Sequence, residues 1–350
     1  NVLNRPTFLE YDKCPACYGF KACSSIKNGE ILVDQSSSLN GLFYSNQHII
    51  HGKHVNGIDV IISKLGGQHN TKAWEEKICT KAKKKQQCYI SEAAKELFPK
   101  SGSKWILEAV RGQSMMTACP TERLISAITF RYTEMLDSID ISNTERIQLV
   151  LTIWRNQEPI IYQIFSKSTD WPFPQYLGAC GRVVVYENPG KPLYTFYDEP
   201  WNFRIRLALK LLNIAHKFTF NPSQYGIYMM KVGADTFHYK QETKELFYTS
   251  ARNILIVDKW QLEENKKENL VSNSDITKKC KHDEHWPSTT KNLCNGLYSD
   301  HNYYAVCRNI LSPVNTEAGG SNAGLLHDVP HNVDTLFGLS HLMQSCLSPK

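Results

Sequence analysis

No apolar run approaches the roughly 18 to 20 residues that a helix needs to cross a bilayer; the longest are broken by Lys, Arg or Ser within a few positions. A membrane span is therefore not expected in the chain as given. There is no internal repeat and no low-complexity tract, and no Asn-X-Ser/Thr acceptor, since Asn221 is followed by Pro222. The Gly-rich stretch Gly319-Gly320-Ser321-Asn322-Ala323-Gly324 lacks the lysine and following hydroxyl of a phosphate-binding loop, and reads as a plain flexible loop. Charge of one sign is also scarce: 40 basic and 34 acidic side chains in 350 residues give a formal +6. The densest basic run, Lys81, Lys83, Lys84 and Lys85, comes without aromatic stacking platforms or a recognisable module, which argues against a nucleic-acid partner. It reads instead as a solvated helix end.

Cysteine is plentiful. Eleven occur: Cys14, Cys17, Cys23, Cys79, Cys88, Cys119, Cys180, Cys280, Cys294, Cys307 and Cys346. That usage suits an oxidising compartment, and all eleven are disulfide candidates, with an odd one left over and the pairing open. Zinc is the rival reading of Cys14-Pro-Ala-Cys17, but a structural site needs a second matched pair, and Cys79 to Cys88 is too widely spaced. Cys280, His282 and His285 form a compact set in a polar segment, read as exposed histidines beside a disulfide cysteine. The chain opens on Asn rather than Met, as expected once a targeting segment has been taken off. With 41% hydrophobic and 21% charged residues, the composition is globular.

The first forty residues are polar and cysteine-stapled, and are expected to form a cap outside the core. Gly57 to Leu65, "GIDVIISKL", predicts a strand ending near Lys64. Helices are predicted over about 71–85 and 91–98, the second capped by Ser91, and after Pro120, where Leu124, Ile125, Ile128, Tyr132 and Met135 recur at helical spacing. Ser142-x-x-Glu145 predicts a capping box. A sheet segment follows from Tyr176 through Tyr186, then a helix over Ile205–Phe218 with apolar residues around most of its circumference. "YGIYMMKVGADTFHY" and "ELFYTSARNILIVDK" read as two short strands joined by a hairpin.

Strand with lysine, helix, sheet, long buried helix, loop, hairpin and helical tail is the order of a protein kinase, in which a lysine, a helical glutamate, a loop aspartate, an asparagine and a second aspartate do most of the chemistry. Six segments make the likeness specific: Lys13 to Gly19 "KCPACYG", Trp171-Pro172-Phe173, Tyr176 to Arg182 "YLGACGR", Asn253 to Lys259, Asp300 to Cys307 "DHNYYAVC" and Gly324 to Asp328 "GLLHD". They are colinear, span almost the whole chain, and resemble the divergent protein kinase domain 2 family, also called deleted-in-autism-1-like proteins. The resemblance implies an α+β, two-lobed, disulfide-stabilised kinase-like fold and residence in the Golgi lumen or outside the cell. The regions expected are the cap (1–40), an N-lobe-like region with helical insertions (41–190) and a mainly helical C-lobe-like region (191–350).

The catalytic positions depart from the family's pattern. Lys231 stands at the position of the base, Thr236 at that of the asparagine and Ser250 at that of the metal-binding aspartate. An ammonium cannot accept a hydroxyl proton and repels Mg²⁺, and neutral hydroxyls are poor ligands for a hard dication. No catalytic residue and no metal are expected from these positions. Lys64 and Lys231 are candidate nucleotide-phosphate contacts, and Glu75 or Glu76 is the candidate helical partner of Lys64; a surface lysine and solvated glutamates are the plainer readings. The expected function is a secreted or Golgi-lumenal pseudokinase that binds a protein partner, such as a receptor or lumenal client, with no cofactor. The alternatives are an unorthodox active kinase recruiting Asp235 or Asp258, and a module that binds ATP without metal.

Overall fold

The computed structural model describes residues 3, 5–33, 48–64, 68–84, 88–99, 104–135, 141–269, 290–297, 299–312 and 324–347. The chain divides into two compact units, Asn1–Ser114 with Glu122–Asn188, and Met115–Thr121 with Pro189–Lys350. The first unit's boundary falls at Asn188. The expected N-terminal cap is not separate, because residues of the first unit run from the start of the chain.

The first unit carries a five-stranded antiparallel sheet in the order β1-β2-β3-β5-β4, formed by Ile31–Val33 (β1), His48–His54 (β2), Asp59–Lys64 (β3), Tyr176–Cys180 (β4) and Val183–Glu187 (β5). Alternation along β3 buries Val60 and Ile62 on one face with Ile50, Val183 and Val185. Leu3, Phe8, Leu9, Ala22, Ile26 and Ile31 cover that face. The polar-looking N-terminal segment is thus core, since its few apolar residues are nearly all turned inward and each large one contributes about 1.5–3 kcal/mol of burial. Two backbone bonds, Tyr18 N–H to Gly181 O (2.8 Å) and Gly181 N–H to Gly19 O (2.8 Å), and the Cys23–Cys180 disulfide fasten the segment to the β4–β5 hairpin.

The helices of this unit are Pro6–Leu9 (α1), Cys23–Lys27 (α2), Gln68–Lys81 (α3), Ile90–Leu97 (α4), Trp105–Val110 (α5), Glu122–Met135 (α6), Asn143–Arg155 (α7) and Glu158–Ile164 (α8). The capping box of α7 forms as expected: Glu145 N–H donates to Ser142 Oγ (3.3 Å) and Ser142 N–H to Glu145 Oε2 (2.7 Å). Ser91 does not cap α4. The helix starts one residue earlier, with Tyr89 at the N-cap and no side-chain cap.

The second unit holds Lys191–Pro192 (β6), Tyr225–Met229 (β7), Phe237–Lys240 (β8), Glu245–Tyr248 (β9) and Ile254–Asp258 (β10), in two sheets, β6-β8-β9 and β7-β10. Two strands were expected here and four form after the long helix, because the inner pair β8–β9 closes a hairpin while the outer pair β7–β10 joins across it. Its helices are Trp201–Thr219 (α9), Lys259–Asn269 (α10), Thr290–Asn295 (α11), His301–Val306 (α12), His331–Phe337 (α13) and Leu339–Cys346 (α14). Helix α9 buries Leu207, Leu211, Ile214 and Phe218 on one side but leaves Leu209 60% exposed, so it is amphipathic and not apolar all round.

Five disulfides, Cys14–Cys17, Cys23–Cys180, Cys79–Cys88, Cys119–Cys294 and Cys307–Cys346, use ten of the eleven cysteines. The eleventh, Cys280, lies outside the described residues, as do His282, His285 and most of the Gly319–Gly324 stretch. Among the described residues no helix is long and apolar enough to cross a membrane.

Candidate functional site

In the second unit, the loop 230–236 joins β7 to β8, and Thr249 and Ser250 follow β9. Thr249 N–H donates to the Thr236 carbonyl at 2.9 Å, which draws Thr236 to the segment that carries Ser250. Their side chains are already engaged. Thr236, 3% exposed, donates its hydroxyl to Gly233 O (2.8 Å) and accepts from Gly233 N–H (3.1 Å). Ser250 Oγ accepts from Asn253 Nδ2 at 2.8 Å. Lys231 reaches into solvent and pairs with Asp235 (3.2 Å) across an exposed i,i+4 contact, of a kind worth little in stability. The loop thus presents a cation paired with an aspartate, and the two hydroxyls close local turns. Among the described residues no three His, Cys, Asp or Glu side chains gather as a metal site.

The loop is held from behind by α12. Asn302, fully buried, accepts from Met229 N–H (2.9 Å) and donates to Ile227 O (2.8 Å) and Thr219 Oγ1 (3.1 Å). His301 Nε2 lies 3.0 Å from Met229 O, and burial pushes the imidazole below its ordinary pKa against the pull of that carbonyl and of Asp300. Tyr248 adds its hydroxyl to the Lys231 carbonyl (2.7 Å). The "DHNYYAVC" segment thus works by setting the end of β7. "GLLHD" is fixed to α9 in the same way, with Arg204 Nη1 donating to Leu325 O (2.8 Å) and His327 O (2.9 Å).

Asp258 is no spare carboxylate. It is 2% exposed, accepts from Thr121 Oγ1 (2.6 Å), and caps α10 through Gln261 N–H (3.2 Å). The Thr121 bond and the Cys119–Cys294 disulfide together tie Met115–Thr121 to the second unit.

In the first unit, β3 delivers Lys64 to a cluster with Glu10, Trp74, Glu75, Arg155 and Arg182. The expected ion pair of Lys64 with Glu75 or Glu76 is replaced. Lys64 Nζ meets Glu10 Oε2 at 2.7 Å, Glu75 pairs with Arg182, and Glu76 is exposed. The cause is the two-residue β4–β5 turn: it brings Arg182, 5% exposed, over the Trp74 ring and onto Ala16 O (2.9 Å), where its guanidinium takes the helical carboxylate first. Glu10 then neutralises the lysine, and also lies 3.9 Å from Arg182. Beside the cluster, burial pushes the Tyr18 phenol up to about 12 against the pull of Arg155. Lys64, Trp74, Arg155 and Arg182 enclose with Tyr18 and its neighbours a space of only about 10 Å³, room for about one water. Trp74 Nε1 and Arg182 Nη2 are buried there without a hydrogen-bond partner. Neither Glu10 nor Arg182 was foreseen as a site residue. Arg182 carried a signal, its place in the "YLGACGR" segment; Glu10 carried none.

Residues 150–349 match the family model described as the protein-kinase domain of FAM69. Divergent protein kinase domain 2A of Homo sapiens is 34% identical over 370 residues, covering 100% of this chain and 85% of that protein. The 2A protein of Xenopus tropicalis is 34% identical over 369 residues with the same coverage. Divergent protein kinase domain 2B of Bos taurus is 31% identical over 252 residues, 66% of this chain and 57% of that protein. No solved structure matches. With a fold of mixed helices and strands stapled by disulfides and a match along its entire length, this chain belongs to the divergent protein kinase domain 2 family.

Proposed function

We propose that this protein is a secreted or Golgi-lumenal pseudokinase that acts by binding a protein partner, such as a receptor or a lumenal client, and not by phosphoryl transfer. The observation that carries the reading is the pairing with Asp235 of Lys231, the residue we assign to the position of the base. Phosphoryl transfer needs a carboxylate to take the hydroxyl proton and further oxygen ligands to hold Mg²⁺. Here a fixed positive charge replaces the first, and the hydroxyls of Thr236 and Ser250 are spent on Gly233 and Asn253. The five disulfides support the location, since such bonds persist in oxidising compartments.

An unorthodox active kinase would recruit Asp235 or Asp258, but Asp235 is neutralised by Lys231 and Asp258 is buried as a cap. A metal-independent nucleotide module would use Lys64 and Lys231, and would first have to displace Glu10 from Lys64. Incubation of the purified protein with labelled Mg-ATP and candidate lumenal substrates tests the proposal. Phosphate incorporation should not exceed that of the heat-denatured protein; sustained transfer that disappears in Asp235→Asn or Lys64→Ala would refute it.

A further inference from the structure

Two buried nitrogens of the first unit lack an acceptor. Arg182, its side chain 6% exposed, leaves Nη2 without a hydrogen-bond partner, and Trp74 leaves Nε1 in the same condition. Both residues line the space of about 10 Å³ beside Lys64. Buried donors are almost always satisfied, so two of them at one small space point to an acceptor held there.

The lining decides what kind of acceptor. Lys64 comes from the end of β3, Thr71 and Trp74 from α3, Arg155 from the end of α7, Arg182 from the β4–β5 turn and Tyr18 from the N-terminal segment. Lys64, Arg155 and Arg182 are cations, and among the described residues no carboxylate lines the space. Glu10 and Glu75 pair with Lys64 and Arg182, and Glu158 acts on Tyr18, but none of the three is part of the lining. Thr71 Oγ1 already accepts from Arg155 Nη2 (2.5 Å), and the Tyr18 phenol stays neutral because burial pushes it up to about 12.

The guanidinium carbons of Arg155 and Arg182 lie 5.5 and 5.4 Å from the centre of the Trp74 ring. The ring attracts each of them, yet two like charges are left close together where the local dielectric is low. A water molecule in the space would satisfy the two donors and leave that repulsion as it was. An anion offsets both. Room for about one water admits a single atom and excludes phosphate, sulfate and carboxylate groups, whose several heavy atoms need more.

We infer that this space is a binding site for a monatomic anion, with chloride as the ordinary occupant, held by Trp74 Nε1 and Arg182 Nη2 among the charges of Lys64 and Arg155. Because the lining is drawn from separate stretches of the chain, the ion stabilises the first unit as assembled and no single element of it. The inference goes beyond the proposed function and depends neither on location nor on whether phosphate is transferred.

The probe is sodium chloride, exchanged for sodium gluconate at a constant ionic strength of about 0.2 M so that screening is unchanged, with thermal unfolding of the full chain as the readout. Chloride should raise the melting temperature of the unaltered protein by about 3–6 °C, and the rise should saturate, as for one site that only the folded state offers. Trp74→Phe keeps an aromatic ring for the two guanidiniums and removes the N–H, so its rise should fall below about 1 °C. Trp260→Phe, at an exposed tryptophan of the second unit, should keep the full rise. Long-wavelength diffraction from crystals of the unaltered protein grown in chloride is a readout that needs no variant, and should show an anomalous peak in contact with Trp74 Nε1 and Arg182 Nη2 that is absent from crystals grown in gluconate. Equal stabilisation by chloride and gluconate, an undiminished rise in Trp74→Phe, or ordered water without anomalous signal at that position would each overturn the assignment.

Discussion

Gly181→Val is expected to cost about 4 kcal/mol or more and to lower the melting temperature by roughly 8–16 °C, using about 2–4 °C per kcal/mol for a unit of this size. Gly181 sits at φ +59°, a conformation that costs an L residue about 1–2 kcal/mol. A Cβ there would run into the Leu9 carbonyl oxygen, and the N-terminal segment cannot retreat. Leu9 O is held by Arg182 N–H at 2.7 Å, Gly181 is bonded to Tyr18 and Gly19, and Cys23 is linked to Cys180. Relief of the clash must therefore break buried backbone hydrogen bonds, at about 1–3 kcal/mol for each group left unsatisfied. Gly112 is the internal control. It has a similar φ of +65° but nothing within 4 Å of the added Cβ, so Gly112→Ala should cost only about 1 kcal/mol. Thermal unfolding of both variants, followed by circular dichroism, separates backbone strain from collision; equal shifts would contradict the packing described for the N-terminal segment.

Asn302→Leu is expected to destabilise the second unit by about 3–5 kcal/mol. The side chain is fully buried and makes three hydrogen bonds, and its removal strands Met229 N–H and Ile227 O. Each stranded group costs about 1–3 kcal/mol, and a leucine of similar size restores none of it. Because Met229 immediately precedes the 230–236 loop, native-state hydrogen exchange should show the Met229 amide losing protection ahead of β8 and β9. Loss of stability without that local signature would mean that Asn302 supports the unit generally and does not set the loop.

Where local rules dominate, the fold could be read from the sequence. The Ser142–Glu145 box starts α7, the apolar spacing after Pro120 gives α6, and the β-branched run before Lys64 gives β3, each decided by residues a few positions apart. Long-range pairing is what stayed hidden. Cys23 joins Cys180 across 157 residues and Cys119 joins Cys294 across 175, and spacing along a chain does not encode such partners. The same limit applies at the site: Lys64 lies far along the chain from Glu10, and the helical glutamate that local order suggested is taken by Arg182, whose position depends on a turn more than a hundred residues away. The N-terminal segment misled for a different reason. Its mean character is polar, yet Leu3, Phe8, Leu9, Ile26 and Ile31 are all buried by short elements too brief to show a period.

Calorimetric titration with ATP, run once with excess Mg²⁺ and once in chelator, tests the central claim most directly. The account predicts no gain from the metal, because Lys231, Thr236 and Ser250, the positions proposed to correspond to the base and the metal ligands, offer a charge of the wrong sign and two engaged hydroxyls. A nucleotide that bound substantially tighter with Mg²⁺ than without it, with the gain abolished in Asp235→Asn or Asp258→Asn, would contradict it.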